Sequence, residues 1–578
     1  MKDLKYSEII KQNSHLSNNV QNLPPYKISI LSNFTCKQLD PILTYQLRAM
    51  KINPIIKIGN YDNIVQDSYD CLGDDLVLIN YDLVGILSKH SVFFEDFNQN
   101  EIDRLYDSIT SDVDLILNNL RQIPAVIFNS FSGLVTYANS VIPSKASVFA
   151  NKLNQYLYSK KEPNVNIVDI NVIISKVGLY ASYDARMFCL SKTLYTTAFW
   201  KEYVCELSVI VSKNTGNLKK AIIFDCDNTL WKGILGEDGM SDIDMAAESK
   251  TGQIFQKVQQ IAVWLSKQGV IVGLCSKNNP GDVDNVLSNH PDMVLKLEHI
   301  VISKVNWVDK ATNLREISEE LNIGLNSLVF IDDSSFEINL IREQVPEILS
   351  YQVPKNLEEY PNQLLSIIQR NFYLSGNKDD LDKTKQYKSQ SDRENEKSKH
   401  RSIEDYLLSI GIEISIDEDD GSQIPRISQL TQKTNQFNLT TKRYTESQIK
   451  DFIEDENYKI FSIKVQDKFG ESGLTAVLII NQKDAMVNID TFVLSCRIMG
   501  RDIEKAIMNF IVNYYSALGF DEICSAYFPT VKNKPVLRFY EDLGFKILNE
   551  DQGNKYYNIN LTDYVYQNVN YVKINNYG

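Results

Sequence analysis

Residues 221–231 read AIIFDCDNTLW, and with the two lysines before them the expected strand spans KKAIIFD (219–225). Four consecutive apolar residues suit a strand covered on both faces, as in a parallel sheet, better than the alternation of a half-exposed strand. The run stops at Asp225, and Asp227 follows two positions later. In open α/β sheets ligands bind outside the carboxyl ends of the strands, so both carboxylates fall where chemistry is expected.

Three more segments repeat this pattern of an apolar run ending in polar residues. GVIVGLCS (269–276) ends in Cys275 and Ser276, with Lys277 and Asn278 after them. HIVIS (299–303) is followed by Lys304 and then by Lys310 at the start of a helix. SLVFIDD (327–333) ends in Asp332 and Asp333. Between the strands, the amphipathic segment 254–267 stops at Gly269, and ATNLREISEELNIG (311–324) ends on a glycine, a common helix C-terminus. Strands alternating with helices predict an α/β layer with a parallel sheet.

These residues suit phosphoryl chemistry. Carboxylates hold Mg²⁺, a hard cation that prefers oxygen ligands, and donors and cations offset charge on phosphoryl oxygens. Asp225, Asp227 and Asp332 are the expected ligands, Ser276 a hydrogen-bond donor, and Lys310 a positive charge, with Lys304 as the alternative lysine. Two acids beyond one strand are more often merely a turn. The ordered series of DxDxT, a strand-ending serine, a lysine and a strand-ending Asp-Asp is much more specific.

The full chain has 578 residues, net charge −14 and 43% hydrophobic content, which predicts a multidomain globular protein. No extended basic patch is present, so no nucleic-acid partner is expected. No apolar run is long enough for a membrane span, and MKDLKYSEII (1–10) lacks the apolar core of a signal peptide. The eight cysteines form no CxxC pair, which argues against a zinc ribbon or dithiol site; free thiols in a reducing cytoplasm are the default.

Before the central unit, YKISIL (26–31), PIIKIG (54–59), DLVLINYDLVGIL (75–87), PAVIFNS (124–130) and NVNIVDIN (164–171) read as strands of another α/β layer. The helix LSKTLYTTAFWKEYVCEL (190–207) reads as core between domains. Residues 375–402 are nearly free of large apolar side chains and read as a solvated linker or exposed helix. A third unit carries strands near 459–466, 474–480 and 486–495 and a helix near 501–518. The expected domains are therefore 1–215, 216–372, a charged segment 373–402, and 403–578.

Asp225-Cys226-Asp227-Asn228-Thr229 resembles the first motif of the haloacid dehalogenase (HAD) superfamily, with Ser276, Lys310 and Asp332-Asp333 matching the motifs that follow. The resemblance implies that Asp225 is nucleophile and metal ligand. It implies that Asp227 is general acid/base and binds the metal through its main-chain carbonyl. Only about forty residues separate Asp227 from Gly269, too few for a large inserted cap. An open site fits a bulky or protein-borne substrate, or one that a neighbouring domain covers.

FDCDNTLWKGILGEDG (224–239), RISQLTQKTNQFNLTTKRYT (426–445), LSCRIMGRDIE (494–504) and KPVLRFYEDLGF (534–545) resemble the narrower FkbH-like family over nearly the whole chain. That resemblance implies transfer of a glyceryl group from 1,3-bisphosphoglycerate, an acyl phosphate, to the phosphopantetheine thiol of an acyl carrier protein supplied in trans, with loss of phosphate, in polyketide-type biosynthesis. Cys275 then becomes a candidate to carry the acyl group as a thioester. Alternation along its strand turns Cys275 and Ser276 to opposite faces, and Cys226 points to core by the same rule.

The third unit resembles the GNAT acyltransferase fold, which implies a cofactor pyrophosphate held at a helix N-terminus, with Arg497 and Gly500 as the matching residues. Asp502 replaces a small residue there and opposes an anion. The first unit resembles an SGNH-hydrolase layer, with Ser32 at the nucleophile position but no D-x-x-H; His90 is the only histidine between 16 and 289. A non-hydrolytic domain follows. The expected fold is thus multidomain α/β, a Rossmann-like HAD core flanked by an SGNH-like and a GNAT-like α+β domain. The alternatives to glyceryl transfer are a HAD phosphatase on a phosphate ester, a GNAT-type acyltransferase, and a non-enzymatic scaffold.

Overall fold

The computed structural model describes residues 4–137, 141–374, 393, 396, 400, 402–483, 486–530 and 532–576. The chain forms two compact units, Met1–Asn214 with Arg443–Ile449, and Thr215–Lys442 with Lys450–Gly578.

The first unit is built on five parallel strands, β1 (Pro25–Ser32), β2 (Asn53–Ile58), β3 (Leu76–Asn80), β4 (Val126–Asn129) and β5 (Val165–Val168), in the order β2-β1-β3-β4-β5. The expected strand 75–87 stops early. Asp82 accepts a hydrogen bond from the Val84 amide at 2.8 Å and caps a short helix, Leu83–Leu87. Asp169 ends β5 in the same way, capping the helix Ile170–Val177. The helix expected at 190–207 begins at Thr197, because Lys192 adopts a left-handed conformation that ends the preceding turn. Its Phe199, Trp200 and Tyr203 lie in the core of this unit. Arg443, from the short distant segment, is placed against Tyr26 and Asp75 of this unit.

The second unit contains two sheets. One is parallel throughout, with β6 (Ala221–Phe224), β7 (Ile271–Ser276), β8 (Ile302–Val305), β9 (Leu328–Asp332) and β10 (Leu349–Gln352) in the order β10-β9-β6-β7-β8. β8 lies later than the expected 299–303, since Leu297–His299 forms a 3₁₀ turn. The helix after it runs Lys310–Glu320 and ends through left-handed Asn322, two residues before Gly324. Between β6 and β7 there is only a flap, the four-residue helix Leu235–Asp238 and the helix Gly252–Lys267. The site therefore carries no inserted cap domain.

The other sheet is mixed and comprises β11 (Ile412–Glu418), β12 (Phe437–Asn438), β13 (Tyr458–Asp467), β14 (Gly470–Lys483), β15 (Met486–Leu494), β16 (Glu522–Tyr527), β17 (Lys546–Asp551), β18 (Asn554–Asn560) and β19 (Val572–Asn576). β15 and β16 pair in parallel only over Val487–Ile489 and Ile523–Ser525, then diverge. β12 fills the fork. It pairs with Val493 and Leu494 of β15, and on its other side the Leu439 carbonyl accepts from the Phe528 amide at 2.8 Å. Buried Asn533 locks this plug. Its Nδ2 donates to the carbonyls of Asn438 (3.0 Å) and Phe528 (2.9 Å), and its Oδ1 accepts from the Thr530 amide (2.7 Å) and Tyr527 hydroxyl (2.9 Å). Asn533→Ala strips partners from four groups in buried and half-buried bonds, and we expect the second unit to lose about 3 kcal/mol of stability, measured as a fall in its denaturant midpoint.

The polar segment 375–402 lies outside the described residues except for Arg393, Glu396, His400 and Ser402. Arg393 is not solvated: it is buried and forms a two-point ion pair with Asp467, which also receives Arg501.

Candidate active site

Parallel strands bring their carboxyl ends to one edge, and β6, β7 and β9 deliver Asp225, Ser276 and Asp332 there. The helix Lys310–Glu320 starts at the same edge, with Asp309 as its cap, accepting from the Thr312 amide at 2.8 Å. Lys310 Nζ lies 2.6 Å from Asp332 Oδ2 and 3.0 Å from Asp225 Oδ1, and all three side chains are almost wholly buried. The Ser276 hydroxyl also bonds to Asp225. Of the two candidate lysines, Lys310 reaches the site; Lys304 is paired with Glu316 and Glu320 on the neighbouring helix.

Charge in this cluster is poorly hydrated. Burial raises Asp225 above the usual carboxylate range against the pull of Lys310. Burial and the adjacent Asp225 push Asp332 up to about 6, and burial followed by Asp225 also raises Asp333. Burial alone would lower Lys310, but Asp225 and Asp332 hold its ammonium above the usual lysine range. Three carboxylates face one ammonium. Oxygens of Asp225, Asp332 and Asp333 lie within 4.8 Å of one another, a hard, acidic donor set that fits a divalent cation.

The geometry corrects three expectations. The carboxylate of Asp227 does not join this group. Its Oδ1 accepts from Trp231 Nε1 (2.9 Å) and the Leu235 amide (3.0 Å), and its Oδ2 accepts from Asn278 Nδ2 (2.8 Å). Asp333 completes the carboxylate set instead, while the Asp227 carboxylate is engaged by these three donors. Second, Cys275 is fully buried, with its thiol toward the Lys310 carbonyl at 3.9 Å and apolar core around it. Burial pushes its thiol pKa far up, so a covalent acyl carrier is not supported there. Cys226 lies in the core on the opposite face of the sheet.

Third, the helix N-terminus after Arg497 and Gly500 carries a carboxylate, Asp502, which weakens the expected cofactor role of both. Arg497 Nε donates to Ser495 Oγ at 3.2 Å, and Gly500 takes φ +77°. Asp502 begins the helix Ile503–Ala517. Burial works against its charge, but Lys505 and Tyr571 hold its carboxyl below the usual range, so a fixed anion stands at the helix N-terminus. The plugged fork beside it leaves no free strand edges for an extended ligand. We expect no heat of binding when coenzyme A is titrated into the protein; micromolar binding at this loop would contradict the geometry. In the first unit Ser32 is occupied by the backbone of Phe34, donating to its carbonyl at 2.8 Å. His90 is exposed and packs on Phe97, with ring centroids 5.3 Å apart.

Sequence reasoning passed over Trp231 and Asn278 as working residues, and placed Asp333 in the last motif without counting it among the metal ligands. The i, i+4 spacing of Asp227 and Trp231 was the one local signal; the Asn278 bond spans fifty-one positions and has none.

The parallel sheet and its acidic edge define a HAD-type α/β core within a multidomain protein. The chain is similar to the N-terminal part of a Bacteroides fragilis protein containing a phosphatase domain, solved in complex with Mg: 25% identity, 64% of this chain and 98% of that chain covered, TM-score 0.55. The C-terminal part aligns with a ribosomal-protein alanine N-acetyltransferase from Escherichia coli (11% identity, 26% of this chain and 94% of that one, TM-score 0.21). It also aligns with a spermidine/spermine N-acetyltransferase from Vibrio cholerae (15%, 27% and 95%, TM-score 0.21). Those two alignments are too loose to bear on function. No protein-family model and no curated protein matches the chain.

Proposed function

We propose that this protein is a Mg²⁺-dependent enzyme that acts on an acyl phosphate, transferring a glyceryl group from 1,3-bisphosphoglycerate to the phosphopantetheine thiol of an acyl carrier protein in trans. The observation that carries the phosphoryl chemistry is the buried cluster of Asp225, Asp332, Asp333 and Lys310 at one uncapped sheet edge. The choice of acyl group and acceptor rests on the FkbH-like segments of the sequence.

Asp225, Asp332 and Asp333, with the Asp227 main-chain carbonyl, would hold the metal. Bound Mg²⁺ supplies positive charge that phosphoryl oxygens require. Lys310 and Ser276 meet the same oxygens, Lys310 with its charge fixed by two aspartates. Water cleaves the C3 phosphate ester and releases one phosphate; the acceptor sulfur bonds to the acyl carbon as the carbon–oxygen bond to the C1 phosphate breaks, and the thiol proton leaves with that second phosphate. Asp227, held by Trp231 and Asn278, is positioned to move that proton at its carboxylate. The cytoplasm, where acyl phosphates and carriers are available, is the proposed location.

The test is to incubate the protein with Mg²⁺, 1,3-bisphosphoglycerate and a phosphopantetheinylated carrier, then weigh the carrier. A glyceryl mass increment that disappears with chelator supports the reading; an unmodified carrier alongside released phosphate defeats the transfer step and favours a phosphatase. That second reading draws on the phosphatase domain of the Bacteroides fragilis protein.

A further inference from the structure

The flap after β6 begins by doubling back on the motif that precedes it. Asp227 and Trp231 form a parallel bridge. The Asn228 amide donates to the Gly233 carbonyl at 3.3 Å, and Asn228 Oδ1 accepts from the Gly233 amide at 3.2 Å. Asn228 takes φ +50°, a left-handed conformation that asparagine tolerates and that turns the chain tightly. Lys232, between Trp231 and Gly233, is fixed on its other side by Asp244: each amide donates to the other's carbonyl at 2.9 Å. The Lys232 ammonium reaches back across the turn and donates to Asn228 Oδ1 at 3.0 Å.

Exposure gives the direction of approach to the site. Asp225 and Asp332 are buried, Asp227, Asn228 and Asp333 are half-buried, and Lys232 is exposed. Its ammonium therefore stands on the solvent side of the motif, against the residue that follows Asp227. The charge there is not offset. Lys310 is paired with Asp225 and Asp332, Lys277 with Glu337, and Lys304 with Glu316 and Glu320. Lys232 bonds only a neutral amide oxygen and pairs with no carboxylate among the described residues. The two acids that border the turn are engaged by other groups. Asp238 Oδ2 accepts from the Ile234 amide at 2.7 Å, and Asp244 accepts from the Ala246 amide at 3.2 Å and from the Ser249 hydroxyl. Nor does Asn228 need the ammonium, since the Gly233 amide already satisfies its oxygen.

We propose that Lys232 reads a second anionic group, a phosphate or a carboxylate, on a small substrate whose phosphoryl end enters the carboxylate cluster. The proposal rests on the phosphoryl reading above and narrows its substrate class to doubly anionic molecules. Lys310 and Ser276 serve the reacting phosphoryl group from the buried side. Lys232, further out, suits a charge carried elsewhere on the same molecule. Its main chain is held by Asp244 and its ammonium by Asn228, so exchanging the neutral oxygen for an anionic one strengthens the bond without reordering the flap.

The test titrates three ligands on one carbon skeleton into the full chain with Mg²⁺, read by calorimetry. Glycerol 1-phosphate carries one anionic group, 3-phosphoglycerate adds a carboxylate, and glycerol 1,3-bisphosphate adds a phosphate. At least one of the doubly anionic ligands should bind about fivefold more tightly than glycerol 1-phosphate, and which one does so identifies the second group. Lys232→Ala and Lys232→Gln should abolish that preference while leaving the affinity for glycerol 1-phosphate and the thermal midpoint unchanged; Lys232→Arg should keep it. Lys267→Ala removes the same charge at the exposed far end of the helix Gly252–Lys267 and should keep the preference too. Equal affinity of the unaltered protein for all three ligands, or a preference that survives Lys232→Gln, overturns the role of Lys232. A Lys232→Ala variant that weakens all three alike also overturns it, because a merely structural residue would do that. Binding of none of the three defeats the phosphoryl reading itself, and this proposal with it.

Discussion

Asp225→Asn should abolish turnover, by at least about 10⁴-fold, while leaving the protein folded and no less stable. The stability half follows from the electrostatics. Burial raises the Asp225 carboxyl, so its ionised form is held in the fold at a cost. Asparagine keeps the size and removes that charge, and Lys310 retains Asp332 at 2.6 Å. A site that gains stability when its chemistry is deleted is one whose geometry is kept for function. Parallel measurements of acyl-phosphate turnover and thermal midpoint check this. Turnover within tenfold of the unaltered protein would remove Asp225 from the chemistry, and a collapsed midpoint would mean that its charge is structural.

Lys310→Met should do the opposite and destabilise the second unit by about 3–5 kcal/mol near neutral pH, since removing one member of a buried ionic cluster leaves the others uncompensated. Asp225 and Asp332 would then face each other without their cation, and their carboxyl groups would rise further. A carboxyl with a folded pKa above its unfolded value favours the fold while protonated and loses that contribution as pH rises through the folded pKa. Asp332 already stands at about 6. The deficit of Lys310→Met relative to the unaltered protein should therefore narrow as pH falls below about 6. Denaturant unfolding at pH 5 and 8 gives the answer; an equal deficit at both would show that Lys310 acts through packing and not charge.

The sheet edge was legible because each strand there is a short apolar run that stops at a polar residue, and the period alone places Asp225, Ser276 and Asp332 together. Lys310 was less so. Two lysines follow the HIVIS segment, and only the folded helix shows that Lys304 is spent on Glu316 and Glu320. The motif resemblance already implied a main-chain contact for Asp227, but a carboxylate two residues from a ligand also looks like another ligand; what withdraws the carboxylate are an indole four residues on and an amide from another strand's loop. The plug at Phe437–Asn438 had no readable signal. It is a two-residue strand whose partners lie more than fifty positions away, and no periodicity exists at that length. Asp82 and Asp169 were readable as helix caps, but the apolar runs around them suggested longer strands.

The first unit takes its final piece, Arg443–Ile449, from far along the chain. During synthesis, then, Asp75 and Tyr26 wait for Arg443 until more than two hundred further residues have left the ribosome. A nascent chain halted anywhere before that point leaves Asp75, raised by burial, without the guanidinium that opposes that shift. Cutting the gene at the apparent domain border would preserve this unfinished state, so the N-terminal unit should be produced on its own only with residues 443–449 grafted back.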